Sequence, residues 1–366
     1  MRLLALTGAL AVALAAAGSA AGSFKGQPGK IAYGRGTGAI YTANPDGSYA
    51  HQIAPADTGS VAEWSPDGAR ILYIHAGTEF WTMWANGTDL RLLVKDVGSG
   101  GGPRWSPDGR WIAYTATEGL AVIHPDGSGR LQLTTGPYDT EPSWSPDSKW
   151  IAFSVQDNGV RTLAVVRANG TGFHTLRPAD LPILYSDPRW SPVDDRIAFT
   201  GTLPVGDHDI FTIRANGTDL VDITPEAHDQ LYPSWSHGGS RIGYVTDPAQ
   251  LDHDPYRAAI VASDGSSHWV DPLFQAVGRV WDWAPDDSSL LVESGGGLTL
   301  GTMDPTSGHI VWGPSTSYMG GQFDWQALNP GLRMVGASGH DQLLGSAKND
   351  EIYGRGGPDS LAGGNG

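Results

Sequence analysis

The stretch WSPDGRWIAYTATEGLAVIHPDGSGRLQLTT, residues 105–135, decides the fold. A short strand ends at Trp105, and Ser-Pro-Asp-Gly then turns the chain. Pro presets φ at the second turn position, Asp caps the turn, and Gly accepts positive φ. Apolar strands follow at Trp111–Thr115 and Leu120–His124, then a PDGSG turn and a fourth strand at Arg130–Thr134. The opening phrase is intact at Trp64–Gly68 as well. It returns in altered form at Trp144, Trp190, Trp235, Trp283 and Trp325, at intervals of 39 to 48 residues. A period near forty with one aromatic anchor per four strands predicts a β-propeller.

The second strand of the unit recurs seven times, beginning at Lys30, Arg70, Trp111, Trp150, Arg196, Arg241 and Ser289, and the anchor tryptophans also number seven. The two series are out of phase at the ends. The first unit, Lys30–Ala54, lacks a preceding Trp strand, and Trp325 lacks a following blade. If the Trp325 strand completes the Lys30 blade, the ring closes without an exposed sheet edge. The fold class expected is therefore all-β, a seven-bladed propeller with a three-plus-one closure; six blades is the alternative. The turn between third and fourth strands recurs as Ala-Asn-Gly-Thr at Ala85, Ala168 and Ala215. Asn-Gly is a hairpin signal, so the three sequons at Asn86, Asn169 and Asn216 are accounted for as turns.

Fifty-one Gly and 25 Pro in 366 residues would suggest disorder if unpatterned, but here they fall at fixed offsets as turn punctuation. A net charge of −16 argues against nucleic acid or an anionic membrane surface as partner. The absence of Cys excludes disulfides and thiol chemistry. Residues 1–22 have a minimal basic start, an apolar stretch at Leu3–Ala17 and small residues after it, as in a cleaved secretory signal. Export to the extracellular or periplasmic side is expected, with no stable membrane span after cleavage, and a monomer.

WSPDG followed by an IAY-type strand and an Asp-Gly turn resembles the TolB-type, WD40-like propeller repeat, and related repeats occur in prolyl oligopeptidases. The resemblance covers Lys30 to Leu328 and assigns residues 23–334 to a TolB-like propeller. TolB itself has six blades and an additional N-terminal domain, for which this chain has no room, so TolB's partners do not carry over.

Alternating strand directions put the SPDG and Asn-Gly turns on one face and the remaining loops on the other. The first face is short and regular; the second varies and is rich in acids, at Tyr138–Glu141, Pro178–Asp187 and Pro225–Tyr232. That second face is where function is expected. Two of its loops carry Asp-His-Asp, at Asp207, His208, Asp209 and at Asp252, His253, Asp254, a combination suited to a divalent metal. The anchor tryptophans are expected in the core; Trp81, Trp84, Trp269 and Trp312 fall outside that register.

After Met334 the period drops to nine: GASGHDQLL, GSAKNDEIY, GRGGPDSLA, GGNG. Asp341, Asp350 and Asp359 recur at the sixth position, and Leu343, Ile352 and Leu361 at the eighth. Residues 335–366 resemble the RTX (hemolysin-type) nonapeptide repeat, which binds Ca²⁺ in a parallel β-roll. The implied ligands are the carboxylates of Asp341, Asp350 and Asp359 with backbone oxygens at glycines such as Gly339 and Gly357. Lys348 and Arg355 depart from the glycine pattern, and the array stops within a repeat.

No G-x-S-x-G elbow occurs, so a prolyl-oligopeptidase-type activity is not expected. The reading is an exported, non-catalytic scaffold that binds a protein, glycan or cell-envelope partner and takes up calcium through its tail. The alternative is a secreted metal-dependent hydrolase or lyase working on the acidic loop face. Convergent acids over the channel would favour the enzyme, and acids spread around the rim the binding module.

Overall fold

The computed structural model describes residues 25–362 except 36–37, 56–62, 76–77, 96, 99–101, 177–183, 205, 227, 248–255, 272–276, 295–298, 316–322, 329–332, 336–341, 345–350 and 354–359. The proposed signal segment lies outside the described residues, as do Asp252, His253 and Asp254. Among the described residues no helix is long and apolar enough to cross a membrane.

Seven four-stranded antiparallel sheets make up the propeller. Blade 1 consists of Gln27–Arg35, Ala39–Ala43 and His51–Ala54, completed by Phe323–Leu328, which sets Ile31 opposite Trp325. Blades 2 to 7 begin with the Trp strands Glu63–Trp64, Arg104–Trp105, Thr140–Trp144, Leu184–Trp190, Gln230–Trp235 and Val277–Trp283. The blade count and the three-plus-one closure are as the repeat pattern predicts.

A single blade has two apolar faces and must cover both. The buried side chains accordingly form seven clusters, each shared by two neighbouring blades. Ile31, Tyr33 and Trp325 of blade 1 pack on Ala284 and Leu291 of blade 7, closing the circle. All seven anchor tryptophans are buried. Three of them spend the indole N–H on the preceding blade: Trp144, Trp235 and Trp283 donate Nε1 to the carbonyls of Arg104, Arg189 and Ser234, each at 3.0 Å. Of the tryptophans outside the register, Trp81 and Trp269 pack against core clusters, Trp84 lies under the Arg70 guanidinium, and Trp312 is exposed.

The turns work as their residues dictate. Ser106 Oγ donates to Asp108 at 2.6 Å and accepts from Trp111 N, and Gly109 closes the turn at φ 70°. Asn86, Asn169 and Asn216 each accept from the N–H and hydroxyl of the Thr two residues on. The seam has its own stitch: Gln326 accepts from Lys30 N and donates to Gly68 O of blade 2.

In the tail, short strands start nine residues apart, at Arg333–Val335, Gln342–Leu344, Glu351–Tyr353 and Ser360–Ala362. The first pairs with the third and the second with the fourth, both parallel. Two parallel ladders, each joining strands eighteen residues apart, are the topology expected of a β-roll. The implied calcium ligands, Asp341, Asp350, Asp359, Gly339 and Gly357, lie outside the described residues.

Candidate functional site

The residue before each anchor tryptophan is the one that matters most for the channel. Trp strands of successive blades touch one another, and those of blades 2 to 6 together line one central cavity of about 540 Å³. They are therefore the innermost strands of the ring. The SPDG prolines Pro66, Pro107, Pro146 and Pro192 also line this cavity, which places it at the channel mouth on the SPDG face. The expectation that this face is only regular packing is thus corrected: turns surround an opening whose wall is charged.

Around the ring, blades 1 to 7 place Asp324, Glu63, Arg104, Ser143, Arg189, Ser234 and Asp282 before the anchor. Six of these side chains are buried and Ser143 is half-buried. Asp324 accepts from Trp64 N, Glu63 from Trp105 N at 3.4 Å and Ser143 from Trp190 N at 2.9 Å, each capping a later blade's anchor. Asp282 accepts from its neighbour Trp283 N. Burial, with Arg104 opposing it, pushes the Glu63 carboxyl up to about 8. Burial and the nearby Asp282 and Glu63 raise Asp324 well above the carboxylate range. Arg104 and Arg189 behave differently, since a guanidinium has no acceptor. Arg104 donates to Pro103 O, and Arg189 to Pro188 O at 3.0 Å. Burial and then Arg104 bring Arg189 down to about 9.

A second tier lies toward the other mouth. Three residues before the anchors of blades 4, 5 and 6, Glu141, Asp187 and Tyr232 adopt left-handed φ values of 60°, 53° and 61°. Pairing register shifts at the same places, so each is a bulge that re-aims its side chain. Glu141 accepts from Ser154 Oγ at 2.6 Å, Arg161 Nη2 at 2.8 Å and Asp187 N at 3.1 Å. Burial would raise Glu141, but Arg161 and these hydrogen bonds hold it below its ordinary value. Asp187 moves the opposite way, raised by burial and by Glu141. Arg279 sits over the Tyr232 ring at 4.2 Å. The acid-rich loops named from sequence thus do feed the channel, through their last residues.

The Asp207-His208-Asp209 triplet is not an open loop. His208–Arg214 is a strand of blade 5, and only Asp207 precedes it. His208 pairs with Asp229 at 2.8 Å. Asp209 is buried, hydrogen-bonded to Asp222, and pushed up to about 7 by burial and then by Asp222. Among the described residues no three His, Cys, Asp or Glu side chains are grouped to hold a metal ion.

No curated protein is similar enough in sequence to count as a relative. Among solved structures, a putative TolB from Agrobacterium tumefaciens aligns with a TM-score of 0.51 and 17% identity, over 70% of this chain and 94% of that one. An oligogalacturonate lyase in complex with manganese aligns with a TM-score of 0.59 and 15% identity, over 78% and 85%. Puromycin hydrolase aligns with a TM-score of 0.56 and 14% identity, over 82% of this chain and 55% of that one. Identities this low show the fold alone. Residues 335–366 match the family model of the RTX calcium-binding nonapeptide repeat, so the chain joins a TolB-like seven-bladed propeller to an RTX repeat tail.

Proposed function

We propose that the protein is an exported binding module, without catalysis, whose partner inserts into the channel mouth on the SPDG face while the RTX tail binds calcium. The observation that carries this reading is the cavity of about 540 Å³ floored by buried Glu63, Arg104, Arg189 and Ser234 with half-buried Ser143. Its volume and its few convergent polar groups within a largely apolar rim are those of a ligand site. Acids hold blades 7, 1 and 2 of the innermost ring and arginines blades 3 and 5, so both signs of charge line the channel. In the tail, Asp341, Asp350 and Asp359 each directly precede a strand of the two parallel ladders, and carboxylate and carbonyl oxygens are the donors calcium takes. Bound calcium would screen these acids and tie successive turns together.

Capture from native culture fluid, with and without millimolar calcium, tests the reading. The intact chain retains a partner and Arg189→Gln releases it; equal retention by both overturns the channel's role. Calorimetry on the full chain and on Asp350→Ala tests the tail, with the calcium heat lost or halved in the variant.

A second reading, a secreted hydrolase or lyase, is favoured by one observation. Glu141 is held ionised beside Asp187, which is pushed toward its protonated form, the asymmetry an acid–base pair requires. Turnover of polysaccharide or peptide that disappears in Asp187→Asn would establish it.

A further inference from the structure

We propose that the arginine-bearing arc of the channel, blades 3 to 5, is a receptor for a ligand's carboxylate group, with Arg189 as the primary counter-charge and Arg104 as the second. This rests on the reading of the channel mouth as a binding site and names what that site takes.

Three observations lead there. First, Arg189 is only 8% exposed and lines the cavity, yet among the described residues no carboxylate lies within ion-pairing distance of it. A desolvated cation with no carboxylate paired to it is strongly disfavoured unless something else supplies the negative charge. Second, the position has another use that the arginines forgo. Asp324, Glu63 and Ser143 there each cap the anchor N–H of another blade, which a guanidinium cannot do. Arginine at this position thus gives up a structural hydrogen bond and adds a buried charge. Third, Arg104 is buried in the same wall, close enough to depress Arg189, so two guanidinium groups bear on one space. The Ser143 hydroxyl lies on the blade between them, lining the same cavity. Having accepted from Trp190 N, it still has a proton to donate.

The charge of the ligand is limited from the flanks. Asp187 and Glu141 bear on Arg189, and Glu63 and Asp324 on Arg104. A singly charged carboxylate, which a guanidinium receives in bidentate fashion, fits between these acids better than a phosphate dianion. The apolar rim of prolines, with Val193, suits the carbon skeleton that carries the carboxylate. Two sources share this chemistry, a uronic acid and the free C-terminus of a short peptide.

Titration calorimetry on the full chain decides it, using glucuronate and its methyl ester, acetyl-trialanine and its amide, and inorganic phosphate. The expected result is saturable one-to-one binding of at least one carboxylate, at least tenfold weaker for its ester or amide. Arg189→Gln should weaken it at least tenfold, and Arg189→Lys less. The tighter of the two acids identifies the source. The proposal is overturned if neither acid saturates, if phosphate binds more tightly than both, or if Arg189→Gln and Arg104→Gln leave the affinity unchanged. Melting profiles confirm that the variants fold; should Arg189→Gln not fold, Arg189→Lys carries the test, and unchanged affinity there overturns the proposal. If Arg189→Gln abolishes partner capture while no carboxylate binds, the ligand class fails and the binding reading stands. If capture ignores Arg189 altogether, the reading itself fails.

Discussion

Blades 7, 1 and 2 place Asp282, Asp324 and Glu63 where blades 3 and 5 place Arg104 and Arg189. The backbone is the same, and so is the distance to the anchor tryptophan. The acids are tied into the framework, because their oxygens accept from the N–H groups of Trp283, Trp64 and Trp105. The arginines have no acceptor to offer these N–H groups; Arg104 donates to the carbonyl of Pro103 and Arg189 to that of Pro188. One arc is therefore built for closure, and the other lines the channel mouth with cationic donors. A repeat fold can thus give a single equivalent position two roles, according to whether the side chain accepts or donates.

The largest effect should come from removing the acid arc's central strand. Truncation after residue 320 deletes Phe323–Leu328, and with it Asp324, Trp325 and the Gln326 stitch. Cooperative thermal unfolding should disappear, and an unchanged calorimetric transition would break the closure model. Asp324→Ala should come next, costing about 1–3 kcal/mol in urea denaturation because the buried Trp64 N–H loses its acceptor. Asp324→Asn, which keeps an acceptor, should lose less.

The third effect depends on pH. Glu63 binds its proton more tightly in the folded protein, at about 8, than in the unfolded chain, at about 4.5. Between those values the folded state holds more protons, so stability is greatest at the acid end and falls as pH rises toward 8. Glu63→Gln should flatten that fall by up to about 1.4 kcal/mol per pH unit. A melting temperature whose pH dependence is untouched by the substitution would remove Glu63 from the acid arc's account.

Arg189→Met should be nearly neutral or slightly stabilising, since it replaces a buried charge by an apolar chain of similar length. A loss above about 2 kcal/mol would show both arcs to be structural and end the contrast. The smallest effect, within about 0.5 kcal/mol, is expected for Lys149→Ala, whose pair with Asp147 is exposed.

Much of this architecture was legible because it repeats. The tryptophans, the SPDG and Asn-Gly turns and the out-of-phase chain ends all sit at fixed offsets, and the seam follows from their mismatch. The channel charges were not singled out for the complementary reason. Glu63, Arg104 and Arg189 differ in kind, so a search for recurring residues passes over them, although their common offset from the tryptophan was a usable signal. The bulges at Glu141, Asp187 and Tyr232 depend on register shifts between strands, which alternation within one strand does not reveal. The triplet at Asp207, His208 and Asp209 misled because charged residues read as loop, whereas burial beside Asp222 holds Asp209 within a strand.

The seam also sets the order of events during folding. Lys30 meets Gln326 across 296 residues of chain, and Trp64 meets Asp324 across 260. Contacts of such separation form late and slowly, because loop entropy must be overcome before they can stabilise anything. Until Phe323–Leu328 has been made, the strand Gln27–Arg35 has an unpaired edge and the core that blade 1 shares with blade 7 lacks Trp325. The blades between can assemble pair by pair as they are synthesised, but the ring and its charged channel come into being together, in one final step.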